Sequence, residues 1–519
     1  MLNNKQKRTR VIRLTPPSLE DNTADGDRLA AALKKELETD AVEIGLPVLK
    51  RLPDLLRRGG HEIQCVMVKD RRRWTVAGVK AAGDPSPSTG LAVDLGTTMI
   101  SMRLTDMDKQ TDLAEISFGN PQAGTGADVL TRIHFAGRDD GLKQMKAMLI
   151  ERLNEKIVEI CRMAGANPDG VHMVAVAGNT VMTHFFMGLD PRWIIREPYI
   201  PVINRPETLM ARDLGIQINE SARCLIFPNI GSYFGGDLIA GILFSGLARR
   251  EKPAILVDIG TNAEVVMGNR EWLMACAGAA GPALEGGVTR MGMAAGPGVI
   301  DHVRIDPDAP PGHGDLTLHT IGDLKPEGIC GSGLIDLAAG LFLSGKIDIQ
   351  GKFRKEKCKN RLQEKDGVPR FVVASAEESG TGKALFITQA DLDSLIRSKA
   401  AMHTILETLS HTVGVGLSEL ETFFVAGAFG VFINPQSAIS IGMIPDLPLE
   451  RYQAIGNSSL GGAALALKSH DALEEIDAIR DSIAYMELNV NQDFMNRFSA
   501  ARFLPHTDRS LFPSVSERA

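Results

Sequence analysis

The sequence has 519 residues, of which 44% are apolar, so several domains with packed cores are expected. Lys and Arg number 57 against 64 Asp and Glu, which gives a formal net charge of −7 at pH 7. Without an overall positive field to hold phosphate backbones, a nucleic-acid partner is not expected. No apolar run reaches the length of about 18 residues that a membrane span needs, and no secretory signal is recognisable. A soluble cytoplasmic protein without membrane contact is predicted.

Residues 1–82 are predicted to form a small α+β domain. The apolar spacing predicts a short helix over residues 27–38 and a hairpin within residues 63–76. A stretch rich in Pro, Ser and Gly follows at residues 82–90 and is typical of a domain boundary.

After this boundary the sequence contains an internal duplication. Leu91–Thr98 (LAVDLGTT) recurs as Ile255–Asn262 (ILVDIGTN), and each copy is an apolar strand that ends in Asp and a Gly-Thr turn. Downstream of each copy, apolar residues at helical spacing predict a helix that leads to a short buried strand, ending at Gly178 and Gly427. Hairpins followed by helix–strand units indicate an α/β architecture with central mixed sheets.

Each of the two hairpins has the chemistry of a phosphate site. Glycine lets backbone N–H groups approach phosphate oxygens, the hydroxyl adds a donor, and the carboxylate can hold hydrated Mg²⁺. One such hairpin can occur by chance. Two copies in the same context favour the interpretation that both hairpins bind the phosphates of one nucleotide. The glycines of residues 427–430 (GAFG) could lie flat against a base or ribose, or could serve only a tight strand–helix turn.

This order of motifs resembles the actin, sugar-kinase and heat-shock-chaperone ATPase superfamily (ASKHA). The resemblance implies an α/β fold of two ribonuclease-H-like lobes that bind ATP and Mg²⁺ between them, here preceded by a linker domain. The expected division is a linker domain at 1–82, a first lobe at 90–250, and a second lobe at 251–519 with an insertion around 304–388. The site residues that the resemblance implies are Asp94 and Asp258 for the metal, Gly96, Thr97, Thr98, Gly260, Thr261 and Asn262 for the phosphates, and Gly427 and Gly430 for adenosine.

Asp237 lies in a Gly-Gly-Asp turn and has two interpretations. Asp is a strong N-cap, so the residue could simply cap the helix that starts there. Sugar kinases of the superfamily present a general-base Asp in a similar turn, where it must reach a water or hydroxyl near the γ-phosphate. On the second interpretation Asp94, Asp237 and Asp258 form the candidate catalytic set.

Four longer strings resemble a narrower family, the reductive activators of corrinoid proteins. They are LTPPSL at 14–19, VAGNTVMTH at 176–184, AAGPALEG at 279–286 and GICGSGLID at 328–336. The resemblance covers nearly the whole chain and implies a Mg²⁺-dependent ATPase that drives reduction of a Co(II) corrinoid to Co(I) in a methyltransferase system. It also implies a corrinoid protein as partner and makes a homodimer plausible. The alternative is a small-molecule kinase of the same superfamily.

The cysteines depart from the pattern of the better-known activators. Those begin with a plant-type [2Fe–2S] domain, whereas the six cysteines here lie 28 to 96 residues apart and form no local iron–sulfur motif. We therefore expect a separate ferredoxin-like electron donor. Cys276 and Cys330 are either buried structural thiols or ligands of a [4Fe–4S] cluster shared between subunits. His184 is a core histidine or a phosphate-side group, and Glu285 is a turn carboxylate or lies near the nucleotide.

Overall fold

The computed structural model describes residues 7–70, 73–126, 128–232, 234–260, 263–278, 289–306, 315–365, 367–488 and 491–516. The chain divides into two units, one made of Met1–Phe244 and Ser458–Ser482 and the other of Ser245–Asn457 and Ile483–Ala519. Residues 458–482, which we expected in the second lobe, therefore group with the first unit. Within the described part of the chain, no helix combines the length and the apolar character that crossing a bilayer requires.

The N-terminal part of unit 1 is a four-stranded sheet in the order β1-β3-β4-β2 with two helices. Its elements are β1 (Thr9–Arg13), α1 (Asp25–Glu36), β2 (Val42–Ile44), α2 (Leu46–Arg58), β3 (Glu62–Asp70) and β4 (Arg73–Ala81). Leu29, Leu33, Leu52 and Leu56 of the helices are at most 1% exposed and pack in one apolar cluster with the sheet. The predicted helix and hairpin are both confirmed, since β3 and β4 pair antiparallel.

The remainder of unit 1 is built on a six-stranded mixed sheet in the order β7-β6-β5-β8-β10-β9. Strand β8 is parallel to its neighbours β5 and β10, whereas β6 is antiparallel to its own neighbours. The elements are β5 (Thr89–Leu95), β6 (Met99–Asp106), β7 (Thr111–Gly119), α3 (Val129–Ala136), α4 (Gly141–Met163), β8 (Val171–Gly178), α5 (Thr180–Met187), β9 (Leu209–Met210), β10 (Arg223–Ile226) and α6 (Gly236–Ser245).

Unit 2 repeats this sheet in the order β21-β20-β11-β12-β13-β22 and adds the small sheets β15-β14-β16 and β17-β18-β19. Its elements up to residue 456 are β11 (Ala254–Ile259), β12 (Ala263–Gly268), β13 (Leu273–Gly278), β14 (Val299–Ile305), β15 (Leu316–Thr320), β16 (Gly328–Ile329), α7 (Gly331–Leu343), α8 (Lys355–Cys358), β17 (Leu362–Lys365), β18 (Val368–Ala374), β19 (Leu385–Thr388), α9 (Gln389–Val413), β20 (Thr422–Ala426), α10 (Gly427–Phe432), α11 (Pro435–Ser440) and β21 (Tyr452–Gly456). The chain then contributes α12 (Ser458–Lys468) and α13 (Ala472–Ser482) to unit 1, and β22 (Ile483–Tyr485), α14 (Gln492–Ala501) and α15 (Pro513–Ser516) to unit 2.

The two sheets confirm the duplication that the sequence predicts. In each unit a three-stranded antiparallel meander, β5–β7 or β11–β13, is extended by two further strands that run parallel to its first strand. The carboxyl ends of parallel strands meet at one edge of a sheet, where α/β proteins place their ligand sites. The residues that end the parallel strands are Leu95, Gly178 and Ile226 in unit 1 and Ile259, Ala426 and Gly456 in unit 2.

Candidate functional site

Two aspartates of unit 1 lie close enough for the charge of Asp94 to affect the ionisation of Asp237. Asp94 is the penultimate residue of β5, and Asp237 lies in the first turn of α6, which follows β10. Burial and the negative charge of Asp94 raise the pKa of Asp237 to about 6. Both residues are partly exposed. A carboxylate with this pKa is ionised at neutral pH and is well matched to accept a proton.

The position of Asp237 bears on its two interpretations. Helix α6 begins at Gly236, so Asp237 lies inside the helix rather than at the N-cap position. Its Oδ1 accepts a hydrogen bond from the N–H of Leu238 at 2.9 Å. A Cβ at Gly235 would stand 2.4 Å from Asn179 Cα and 2.5 Å from Asp237 Oδ1, so only glycine fits there. Capping is therefore at most part of its role, and the general-base interpretation stays a prediction.

The Gly-Thr turn after β5 is held by side chains from three other segments. Asn120 Nδ2 donates to the carbonyl of Gly96 at 2.9 Å, and Arg132 Nη1 donates to the carbonyl of Thr97 at 2.7 Å. Asn179 Nδ2 donates to Thr97 Oγ1 at 3.0 Å. Because Arg132 is only 1% exposed, it orients the turn from inside the unit and cannot itself reach a ligand in solvent.

Close backbone packing explains two glycines at this edge. A Cβ at Gly96 would stand 2.3 Å from the carbonyl oxygen of Met99. A Cβ at Gly178 would stand 2.9 Å from both Cβ and O of Leu95. Thr98 is exposed at the tip of the turn. The edge of the first sheet is thus a tightly packed backbone surface on which Asp94 and the hydroxyl groups of the turn are presented.

Ser459 brings a fourth segment to this edge. It is the second residue of α12, and its Oγ donates to Asp94 Oδ1 at 2.8 Å. The sequence analysis missed this contact because 365 residues separate the two partners. It also assigned no role to Asn120, Arg132 or Asn179, although Asn179 lies within the family string at 176–184 and precedes α5 as its N-cap, which is a recognisable signal.

Asp258 and Gly427 lie together at the edge of the second sheet. Strands β11 and β20 pair in parallel with Asp258 opposite Ala426. Gly427 follows with φ +81°, and a Cβ there would stand 3.0 Å from the carbonyl of Ile259 and 3.1 Å from Asp258 Oδ1. Glycine is therefore favoured both by the backbone conformation and by the neighbouring carboxylate.

Only some of the remaining candidates belong to the residues that the structure describes. Gly260 is partly exposed directly after β11. A Cβ at Gly430 would stand 2.6 Å from the carbonyl of Val425, so the strand–helix turn already requires glycine there, and the adenosine role of Gly430 stays a prediction. Thr261, Asn262 and Glu285 lie outside the described residues, and their roles stay predictions.

His184 is a core histidine. Its side chain is fully buried, its Nδ1 donates to the carbonyl of Thr180 at 2.7 Å, and its Nε2 accepts from the N–H of Val202 at 3.0 Å. Cys276 and Cys330 are also buried, and burial raises the pKa of the Cys276 thiol to about 12. Buried thiols of this kind are chemically inert, which fits their structural interpretation.

A cluster of possible metal ligands in unit 2 meets the distance requirement of a metal site but not its chemical requirement. Ligand atoms of His403, Glu407 and His506 lie within 4.8 Å of one another. The Nδ1 atom of His506 accepts from the N–H of Asp508 at 3.0 Å, so the proton of this ring stays on Nε2 and blocks that nitrogen as a ligand. Burial, and to a lesser extent the charge of Lys399, lowers the pKa values of both histidines.

Comparison with known proteins places this architecture in one family. The family models match the RACo linker region over residues 4–85, the RACo middle region over 89–250, and the C-terminal domain of RACo, described as the ASKHA domain, over 252–516. The chain is 31% identical over 459 residues to a protein of Eubacterium limosum named corrinoid activation enzyme RamQ, covering 87% of this chain and 76% of the relative.

Two further relatives agree with this result. A protein of Methanosarcina barkeri named "[Co(II) methylated amine-specific corrinoid protein] reductase" is 23% identical over 439 residues, covering 78% of this chain and 75% of the relative. A solved structure titled "Reductive activator for corrinoid,iron-sulfur protein" superposes with a TM-score of 0.86 at 36% identity, covering 98% of this chain and 81% of the other.

Proposed function

The chain belongs to the RACo family, and from this premise we propose that it is an ATP-dependent activator of a corrinoid protein. The observation that carries the proposal is the match of all three RACo regions, in order, between residues 4 and 516. In the proposed reaction the cobalt of an inactive corrinoid takes up one electron and passes from Co(II) to Co(I), the form that a methyltransferase requires. Hydrolysis of ATP makes this uphill electron transfer possible.

The donor atoms of both units suit Mg-ATP. Carboxylate oxygens are preferred ligands of Mg²⁺, and Asp94 and Asp258 each lie near the end of a strand beside a glycine turn. Gly427 places bare backbone directly beside Asp258, since a Cβ there would stand 3.1 Å from Asp258 Oδ1. We propose Asp94 and Asp258 as metal-holding residues, Gly96, Thr97, Thr98, Gly260, Thr261 and Asn262 as phosphate-binding residues, and Gly427 and Gly430 as adenosine-binding residues.

Asp237 is the proposed general base. Its Oδ1 is engaged by the N–H of Leu238, so Oδ2 is the atom that would take the proton of the attacking water. The raised pKa of about 6 supports this role, because the group is ionised at neutral pH yet basic enough to hold a proton. Bound Mg-ATP supplies the phosphoryl group whose transfer to water releases the free energy. Asn120, Arg132 and Asn179 keep the Gly-Thr turn in one shape during turnover.

The electron is proposed to come from a separate ferredoxin-like donor. All six cysteines are buried and free, which leaves them poorly suited to hold an electron-transfer centre that a partner could approach. The contribution of this chain is then the ATPase activity that drives electron transfer to the corrinoid protein. A cytoplasmic location and a homodimeric state are part of the same proposal, and the latter is testable by the molar mass in solution.

The direct test measures ATP hydrolysis by the purified protein with Mg²⁺, alone and with a Co(II) corrinoid protein of the same organism. We expect the corrinoid protein to stimulate phosphate release and, with a reduced ferredoxin present, Co(I) to appear in the visible spectrum. Asp94→Asn and Asp258→Asn should each lower hydrolysis by about 100-fold, since each removes a metal-binding charge. Asp139→Asn, a change at an exposed aspartate of unit 1, should leave it unchanged.

Two outcomes would contradict the proposal. Full hydrolysis by both the Asp94 and the Asp258 variant would remove the assigned site. Turnover that no corrinoid protein alters, together with phosphorylation of an added sugar or small acid, would favour the kinase alternative instead.

A further inference from the structure

Helix α12 connects the linker domain with the carboxylate site inside unit 1. Its amino end carries Ser459, whose hydroxyl donates to Asp94 Oδ1 at 2.8 Å. Ser459 is only 5% exposed, so this hydrogen bond is shielded from water. Hydrogen bonds to a charged acceptor are stronger than neutral ones, and this bond limits the orientations that the carboxylate can take.

The middle of α12 packs without clearance on the helix that carries Asp237. A Cβ at Gly462 would stand 2.0 Å from the carbonyl oxygen of Ala240 in α6, and a Cβ at Gly461 would stand 2.5 Å from the ring of Phe244. The two helices are therefore in backbone contact and have no room to slide past each other. Displacement of α12 would move both carboxylates of the site.

The carboxyl end of α12 is held by Arg8 of the linker domain. Arg8 Nε donates to the carbonyl of Leu467 at 2.9 Å, and Nη2 donates to the carbonyls of Ala466 at 2.6 Å and Ser469 at 2.7 Å. These carbonyls lie at the helix end, where no further turn supplies donors, and a cation there is favoured by the helix dipole. The guanidinium is 1% exposed, and burial lowers its pKa to about 10, so it stays charged at neutral pH.

Two other contacts attach the linker domain to the segment after α12. Lys69 Nζ forms an ion pair with Glu474 of α13 at 2.5 Å. The ring of Trp74 stands edge-on to the ring of His470, with centroids 4.8 Å apart. The linker domain thus contacts the carboxyl end of α12 and the start of α13, and Leu467 at this end lies roughly 12 Å along the helix from Ser459.

We propose that α12 couples the linker domain to the nucleotide site, with Ser459 as the positioning residue for Asp94 and Arg8 as the anchor at the opposite end. A protein that binds the linker domain would change the position of Asp94 through this helix, and nucleotide binding at Asp94 would change the linker domain in return. The inference rests on the proposed role of Asp94 in Mg-ATP binding.

The first experiment compares Ser459→Ala with Ser458→Ala. Ser458 is adjacent on the same helix, is equally buried, and its Oγ has no hydrogen-bond partner among the described residues. We expect Ser459→Ala to lower kcat about tenfold and to raise the Mg²⁺ concentration for half-maximal activity, whereas Ser458→Ala changes neither. Ser459→Thr keeps the hydroxyl and should retain most of the activity.

The second experiment tests whether Arg8 acts through Ser459. Arg8→Met should lower kcat roughly three- to tenfold, while Arg13→Met, at the last residue of β1 and with an 80% exposed side chain, should not. If Arg8→Met does not yield folded protein, Arg8→Lys keeps the charge and removes the fork of donors. In the Ser459→Ala background either Arg8 variant should have less than a twofold further effect. Effects that multiply independently would overturn the coupling.

A fluorescence measurement provides a readout that does not depend on turnover. With Trp193→Phe and Trp272→Phe, only Trp74 remains to report on the linker domain. We expect Mg-ATP to change its emission, Ser459→Ala to abolish this change, and Ser458→Ala to preserve it. Nucleotide binding without any Trp74 response, or an unaltered response in Ser459→Ala, would overturn the inference and leave the proposed function standing. Absence of nucleotide binding in the wild type would overturn both.

Discussion

At the scale of single residues, Asp237 combines a functional requirement with a cost in stability. Its pKa in the folded protein is about 6, against 3.8 as the ordinary value, because burial and Asp94 disfavour the charged form. Between these values the folded protein binds a proton that the unfolded chain does not, so this group favours folding below pH 3.8 and loses that contribution as pH rises through 6. At neutral pH the ionised carboxylate therefore destabilises the fold.

Asp237→Asn should separate the two properties. We expect turnover to fall by at least about 100-fold and the free energy of unfolding at pH 7 to rise by up to about 3 kcal/mol, the equivalent of two pKa units. Urea denaturation and phosphate release measure the two effects, with Asp139→Asn as the control. In the wild type the acid limb of kcat should lie near pH 6. Full turnover by Asp237→Asn would show that Asp237 is not the general base. An unchanged free energy of unfolding would show that the pKa of Asp237 is not raised.

The residues that could be predicted from the sequence differ physically from those that could not. Asp94 and Asp258 were recognisable because the same strand-and-turn pattern occurs twice and depends on neighbouring residues of the chain. Arg132 and Ser459 reach the first hairpin from 35 and 365 residues away, and no motif in their own helices marks them out from the neighbouring polar residues. Such contacts depend on tertiary packing, which local sequence patterns do not encode.

At the scale of secondary-structure elements, the backbone conformation at the start of α10 predicts that Gly427 cannot be replaced without loss of nucleotide binding. A residue with a side chain at φ +81° is strained, and its Cβ would also contact Asp258 Oδ1 at 3.1 Å. Gly414 offers a matched control, since it has φ +69° at the end of α9 but open space around it. Both glycine-to-alanine variants should lose about 1–2 kcal/mol of stability, because a Cβ is unfavourable in the left-handed backbone conformation. Only Gly427→Ala should weaken ATP binding, by about tenfold or more in Kd.

Equal nucleotide affinity in the two glycine variants, measured by isothermal titration, would remove Gly427 from the proposed adenosine site.

The elements themselves were predictable to different degrees. Helix α4 was expected because Met145, Leu149, Leu153 and Ile157 repeat every four residues, and all of them are buried as that spacing requires. The assignment of α12 to unit 1 was not expected. Nearly every side chain of this helix is buried, and its small residues form no single apolar face, so the sequence does not indicate which neighbours it packs against.

At the scale of the whole molecule, the buried group around His403 predicts how stability depends on pH. His403 is 2% exposed, and burial together with the charge of Lys399 lowers its pKa from 6.5 to about 3. Between these values the unfolded chain binds a proton that the folded protein does not. The free energy of unfolding should therefore decrease as pH falls below 6.5, by up to about 1.4 kcal/mol per pH unit from this group alone.

His403→Leu removes the titrating ring and should flatten this decline, so that the variant loses less stability than the wild type between pH 6.5 and pH 4. Because a cavity change could lower stability at every pH, the slope rather than the absolute value is the measurement, taken from urea denaturation at several pH values.

His319→Gln is the control of opposite sign. The carboxylate of Asp301 raises the pKa of His319, so this residue favours folding at low pH, and its removal should not flatten the decline. Parallel curves for wild type and His403→Leu would show that His403 is not the group that makes the fold sensitive to acid.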